Sequence, residues 1–374
     1  MRQAGFSPRF GSILRPARAA LITVLLAASP VRAQAPAGGA PGYYFIPIIG
    51  PIGTGYADAF DKAVRATQNL KSQYAVIYLN TPGGDVGEMT RIIKTIGDHP
   101  DIHFVGVVRK AGSAGAVIAM SCRTVLITPT ATIGGTVPYT YDKKGIPANV
   151  DAKFRAFFDA DVRSAVEHAG QDVLLARGMA EPDLVLAAAP RANQRAEIVD
   201  ATESRDLLQK RAGAKIIKEK GKILVLTGSE AVDVGLARGL VTEPKTGFPI
   251  PEDEIASLLG LSTWRRTGNH EPTMRKVRVA VVEEEFTTGK PGQYLKELDA
   301  AIEKLRRDER DGASVITAAR DVVSRNNTTA NRARLQVMEN QLRDIGTDLK
   351  KLQDEKARVM DIRRDLLVKA GAAR

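Results

Sequence analysis

The sequence predicts an α/β fold, a succession of βα units around a mostly parallel sheet, followed by a C-terminal α-helical, coiled-coil-like extension. Three observations predict it. Short continuous apolar runs such as residues 74–79 (YAVIYL) have strand length and no polar alternation, as strands buried on both faces require. Segments of helical spacing alternate with these runs, which is the pattern of βα units. From Leu295 onward the apolar residues recur instead at steps of three and four, with charges between them. A chain of 374 residues, 44% hydrophobic and 26% charged, is not a disordered chain and suffices for more than one folded unit. The single cysteine, Cys122, excludes an intramolecular disulfide and a zinc site built on paired cysteines.

Taken in order, residues 1–33 read as a secretory signal peptide. They hold five arginines and no acid, an apolar run at 19–28 (AALITVLLAA) and the small-residue pattern Val31-Arg32-Ala33. The run is shorter than the roughly 20 residues that span a bilayer. The expected location is therefore extracytoplasmic, periplasmic or secreted, after cleavage behind Ala33; an uncleaved N-terminal anchor is the alternative. Without those arginines the formal charge falls from +11 to +6. Acids are interleaved with the remaining basic residues and Trp264 is the only tryptophan, so no nucleic acid is expected as a partner. Residues 34–42 form a linker rich in Ala, Gly and Pro.

The main domain is expected over residues 43–242. Residues 43–49 (YYFIPII) read as a strand stopped by Gly50-Pro51, and 57–70 as a helix with Phe60, Val64 and Leu70 near one face. The buried strand at 74–79 leads into Asn80-Thr81-Pro82-Gly83-Gly84. A helix at 87–97, a strand at 103–108, a small-residue helix at 113–120 and a strand at 124–127 follow. Residues 152–169 and a short piece at 182–189 read as helical, and a strand at 223–226 enters a helix at 231–235. Residues 243–290 are read as a connecting segment in which 277–282 (VRVAVV) has strand character. The tail at 291–374 carries Leu295, Leu298, Ile302 and Leu305, then Leu335, Met338, Leu342, Ile345, Leu349 and Leu352, continuing through Lys356, Val359, Arg363 and Leu366. These heptads pack either as a hairpin within the chain or against another copy.

Three segments can do chemistry. Pro82-Gly83-Gly84 ends a buried strand, where open α/β sheets place their ligands, though such a tripeptide is also simply a good turn. Ser113 lies in Ala111-Gly112-Ser113-Ala114-Gly115, at the mouth of an apolar helix where amides and dipole favour developing negative charge. It is either a nucleophile or an N-cap. A serine nucleophile needs a base. None of His99, His103, His168 and His270 has a context that recommends it, whereas Lys153 begins a helix beside Phe154, Phe157 and Phe158. Burial can hold a lysine neutral, and a snorkelling lysine at a helix start is the plain alternative. Lys143 and Lys144 lie in a polar turn and read as solvated. No phosphate loop, metal-ligand cluster or dinucleotide fingerprint is present, so no cofactor and no metal is expected.

Together, Asn80-Thr81-Pro82-Gly83-Gly84, Ala111-Gly112-Ser113-Ala114-Gly115, Thr130-Ala131-Thr132-Ile133-Gly134-Gly135 and a lysine 40 positions after the serine resemble the ClpP-like serine peptidase superfamily, in its membrane-bound NfeD-type branch. The segment Leu226-Thr227-Gly228-Ser229-Glu230-Ala231 is similar to that family's closing strand, turn and helix. The resemblance implies the ClpP/crotonase-like spiral fold, Ser113 as nucleophile and Lys153 as general base. It implies an oxyanion hole from the amides of Gly84 and Ala114, with Gly83 shaping the turn and Thr132 orienting the lysine. The histidine of classical ClpP has no counterpart near Pro138, which favours a dyad. The heptad tail stands where NfeD-type proteins typically continue into transmembrane helices. The function implied is that of an exported serine endopeptidase acting on extended, apolar polypeptide segments, as a homo-oligomer, with a membrane-protein substrate or partner not marked by any mature transmembrane segment. The rivals are an inactive scaffold or oligomeric binding protein, and a crotonase-like acyl-CoA enzyme, which export disfavours because CoA is cytosolic.

Overall fold

The apolar runs become the centre of a seven-stranded sheet in the computed structural model, which describes residues 40–141, 147–191, 194–202, 213–243 and 250–372. The signal peptide, most of the linker, and Lys143 and Lys144 lie outside the described residues. Strands β1 (Gly42–Ile49), β2 (Tyr74–Thr81), β3 (His103–Gly112) and β4 (Thr124–Gly134) run parallel in the order β4-β3-β2-β1. Helices α1 (Tyr56–Asn69), α2 (Val86–Gly97) and α3 (Ala114–Met120) connect them. Residues 75–79 of β2 are buried throughout, and alternate side chains enter two cores, as a strand covered on both faces requires. Ile77 and Leu79 meet the helices, while Val76 and Tyr78 face the opposite layer with Phe45 and Val107.

Beyond β4 come the hairpin β5 (Tyr139–Tyr141) and β6 (Pro147–Asn149), then α4 (Ala152–His168), capped by the Asp151 side chain, and the short α5 (Val173–Gly178). A separate antiparallel sheet follows, formed by β7 (Leu186–Arg191), β8 (Gln194–Asp200) and β9 (Lys215–Lys218). The helical piece expected at 182–189 is thus corrected: from Leu186 onward it is a strand. Its run of alanines favours helix locally, but pairing on both sides within this sheet prevails. Strand β10 (Val225–Thr227) then lies antiparallel to the end of β4, α6 (Gly228–Asp233) starts in a capping box on Thr227 and Glu230, and β11 (Gly239–Leu240) returns parallel to β4.

The sheet does not close at residue 242. After α7 (Glu252–Leu258), strand β12 (Arg265–Asn269) pairs in parallel with β1 and forms the far edge. Its sequence, RRTGN, carries no apolar signal, because its partners are backbone groups, the hydroxyls of Tyr43 and Ser72, and the Glu252 carboxylate. The expected strand at 277–282 is likewise corrected: it lies inside α8 (Glu271–Thr287). Met274, Val277 and Val281, at helical spacing, pack on the main core, and that contact overrides the β preference of VRVAVV.

Two long helices end the chain, α9 (Lys290–Arg325) and α10 (Thr329–Ala370). They fold back on each other, since Asp299 pairs with Lys356 and Arg320 with Glu339. Every predicted seam position from Leu335 to Arg363 is buried or half-buried. At the end the seam slips by one residue, so that Leu366 is exposed while Leu367 and Ala370 turn inward. There α10 reaches α8, with Arg363 on Glu283 and the Arg278 Nε donating to the Ala370 carbonyl at 3.3 Å.

Candidate active site

Ser113 joins β3 to α3 in a conformation that is costly for a residue with a side chain, at φ 50 and ψ −121. Its N–H donates to the Gly134 carbonyl at 3.0 Å, which holds the turn against the end of β4. Its side chain makes no capping hydrogen bond, so the N-cap reading does not account for it. A strained serine between strand and helix is the arrangement that lifts a nucleophile out of the backbone.

Gly83 and Gly84 meet this turn from β2. Gly83 has φ 108, and a Cβ there would come within 2.6 Å of the Ser113 Cβ, so only glycine allows the two turns to touch. Gly84 has φ 153, and its Cβ would lie 2.0 Å from the Ile52 carbonyl oxygen. The loop is pinned by the Ile52 N–H to the Gly83 carbonyl at 2.8 Å, the Asp85 N–H to the Ile52 carbonyl at 2.9 Å, and the Gly83 N–H to Thr81 Oγ1 at 3.0 Å. Among the described residues no backbone hydrogen bond uses the N–H of Gly84 or Ala114. These are the two amides that the resemblance implied for an oxyanion hole. The parts played by Ile52 and the Gly134 carbonyl could not be read from the sequence, because they act only through backbone atoms.

Lys153 is exposed on the first turn of α4, beside Phe154 and Phe157, which are 41% and 64% exposed. Gln171 Nε2 donates to the Cys122 carbonyl at 3.1 Å, tying the C-terminal ends of α3 and α4 together. Thr132 is exposed between the buried Ala131 and Ile133, so it points to the other face of the sheet, and its in-register neighbour on β3 is Lys110. The structure thus brings Gly83, Ser113 and Ala114 together, while Lys153 lies on the exposed first turn of α4 and Thr132 on the face of β4 opposite the buried Ala131 and Ile133.

The cysteine and the histidines lie elsewhere. Cys122 is fully buried, and desolvation pushes its thiol up to about 12. His103 begins β3, ten residues or about 33 Å from Ser113, and His99 lies at that same end. His168 ends α4. His270 follows β12, three strands across the sheet and level with Gly106 rather than with Ser113, so it is about 14 Å away sideways and about 23 Å along the strands; it is buried and 3.2 Å from the Tyr44 hydroxyl through Nδ1.

Among the described residues the sheet has a free edge at β10, beside the site. The Gly134 carbonyl faces Ser113, so its antiparallel partner Val225 is not hydrogen-bonded to it, and Val225 presents its own N–H and C=O at the outer side of β10. A cleft of about 510 Å³ separates that edge from the β7–β9 sheet, lined by Ile216, Ile217, Val225, Leu226 and Val234.

Residues 42–204 match the family model described as NfeD1b, N-terminal domain. The membrane-bound protease PH1510 of Pyrococcus horikoshii is 26% identical over 201 residues, covering 52% of this chain and 44% of that protein. Membrane protein NfeD1b of Bacillus subtilis is 26% identical over 196 residues, covering 52% and 38%. The chain therefore spans less than half the length of either curated relative. Among solved structures, a serine-to-alanine mutant of the 1510-N membrane-bound stomatin-specific protease aligns at a TM-score of 0.40 and 20% identity, over 56% of this chain and 83% of that one. A lysine-to-alanine mutant of it, in complex with a substrate peptide, aligns at 0.40 and 20% over 55% and 77%. No described helix is long and apolar enough to cross a membrane.

Proposed function

We propose, from the match of residues 42–204 to the NfeD1b N-terminal domain model, that the chain is an exported serine endopeptidase that cleaves extended, apolar polypeptide segments with Ser113 as nucleophile and Lys153 as base. The observation that carries the reading is the strained Ser113 turn, which forms no capping bond and is packed against Gly83 with two unused amides beside it.

In this mechanism neutral Lys153 takes the Ser113 proton as Oγ attacks the scissile carbonyl carbon. The oxyanion is held by the Gly84 and Ala114 N–H groups, each worth about 3 kcal/mol to the barrier. The tetrahedral adduct collapses, the C–N bond breaks, and the leaving amine takes the proton back from the lysine. Water, deprotonated by the same lysine, then hydrolyses the acyl-enzyme and frees Ser113. The base must be shielded from water to be neutral. An apolar segment laid across the first turn of α4 would cover Phe154 and Phe157 and shield Lys153 with them, which is why the reading favours apolar substrates. The edge of β10 and the neighbouring cleft suit an extended chain that adds as a strand.

The exposure of Lys153 in the free chain favours a second reading, a non-catalytic scaffold. Fluorophosphonate labelling and cleavage of an apolar peptide separate the two. Labelling and cleavage are expected in the parent, in Lys110→Ala and in single replacements of each histidine. Both should be lost in Ser113→Ala and Lys153→Ala. A parent that neither labels nor cleaves supports the scaffold; a Lys153→Ala protein that cleaves like the parent removes the lysine from the mechanism.

A further inference from the structure

The α9–α10 arm has two unlike flanks at one level along its length. Taking Ile316 and Leu342 as reference points on the seam, and about 100° per residue, Ala313 and Arg320 of α9 turn to the same side as Glu339 and Gly346 of α10. The Arg320–Glu339 pair at 2.7 Å ties that side together. There the arm opens into a groove of about 890 Å³, floored by Ile316 and Leu342 and walled by Ala313 and Gly346. It exists because Gly346 has no side chain and Glu309 occupies a seam position; at its floor Ile316 is buried and Leu342 half-buried. A Cβ at Gly346 would meet nothing closer than Glu309 Oε1 at 3.7 Å.

On the opposite flank, rotated 100° to 140° the other way from the same reference residues by that count, lie Val315, Val322 and Val337. They are 54%, 54% and 55% exposed. Charge divides in the same way. The valine flank carries Asp308, Asp311, Asp344 and Asp348 with Arg334 among them, and the groove side carries Arg310, Arg320, Arg343 and Lys350 with Glu309 and Glu339. One side offers an apolar ridge with mostly acidic borders, the other a groove with mostly basic borders, and the two overlap along the arm.

We propose that the arms of two copies of this chain pack side by side, the valine flank of one seated in the Gly346 groove of the next. Each copy contributes a different patch, so the contact is heterologous, and every copy added presents a fresh ridge and a fresh groove. Assembly continues until a ring closes.

The test uses the full chain. Light scattering at micromolar concentration should give a mass above that of one chain. Val337→Asp, which adds a charge to the ridge at an exposed site, and Gly346→Leu, which fills the groove, should each return the mass to one chain while the circular dichroism stays unchanged. Single cysteines at Val337→Cys and Ala313→Cys, with buried Cys122 silent, should cross-link strongly only when the two proteins are mixed, with at least a tenfold excess over either alone. A parent of single-chain mass overturns the proposal. So does an assembly that survives both substitutions, or either cysteine variant cross-linking alone as well as the mixture does.

Discussion

Replacing Ser113 by glycine should make the protein more stable as it makes it inactive. At φ 50 and ψ −121 a residue with a Cβ stores strain of about 1–3 kcal/mol, which glycine does not pay. Glycine brings back part of that as extra freedom in the unfolded chain, about 0.4–1 kcal/mol. The central values leave a net gain of about 1.3 kcal/mol. The comparison is with Ser113→Ala, which also lacks the proposed nucleophile but keeps the Cβ and its strain. In urea, with a slope of about 3 kcal/mol per molar, the glycine variant should unfold about 0.4 M later than the alanine variant, at equal slope. Trp264, stacked on Tyr43 at 4.2 Å against the main sheet, supplies the fluorescence signal. Equal midpoints, or a lower midpoint for glycine, would refute the claim that strain is stored at this turn for function.

Gly84→Ala should abolish cleavage, by at least about a hundredfold, because its Cβ would lie 2.0 Å from the Ile52 carbonyl oxygen and one oxyanion amide would move; retention of more than a tenth of the parent rate would remove Gly84 from the site. Acid should weaken the fold before the carboxylates titrate. Burial lowers the pKa of His270 and of His103, the latter aided by Arg123 and Arg238. Both folded values thus lie below the unfolded one of about 6.5, so the stability is complete above that pH and is lost as pH falls through the folded values. Urea midpoints at pH 7.5 and 5.5 check this, the lower one being expected at 5.5 and the gap narrowing in His270→Phe. An unchanged midpoint in the parent counts against it.

How far the sequence carried the fold differs by element. The strands at 43–49, 74–79 and 103–108 were legible because strands buried on both faces leave an unbroken apolar trace. The 277–282 run misled, since its alternating valines satisfy a strand pattern while Met274, Val277 and Val281 fall on one side of a helix. β12 was invisible because it is held by main-chain pairing and polar contacts. At the site, the glycines and Ser113 were legible as residue types in order. The Ser113 dihedrals, the Ile52 clamp and the side of the sheet that Thr132 faces are backbone matters that no residue type announces. The tail was read as heptads, but only the Asp299–Lys356 and Arg320–Glu339 pairs reveal that its two halves meet within one chain.

The pairing of β1 with β12 bears on how the molecule is made. Gly42 lies beside Arg265, so the first strand synthesised stays bare on its outer side until some 220 residues more have followed. At about 5–20 residues per second that is an interval of about 11–44 s. A bare strand edge recruits other chains, and β1 meets the hazard with Pro47, which lacks the donor that a continuous foreign ladder needs. The late arrival of β12 also means that the sheet, and the arm that springs from it through α8, can be completed only after Asn269 has been made. Such long-range closure slows folding, and a chain crossing a membrane before that closure would cross it with its first strand still unpaired on one side.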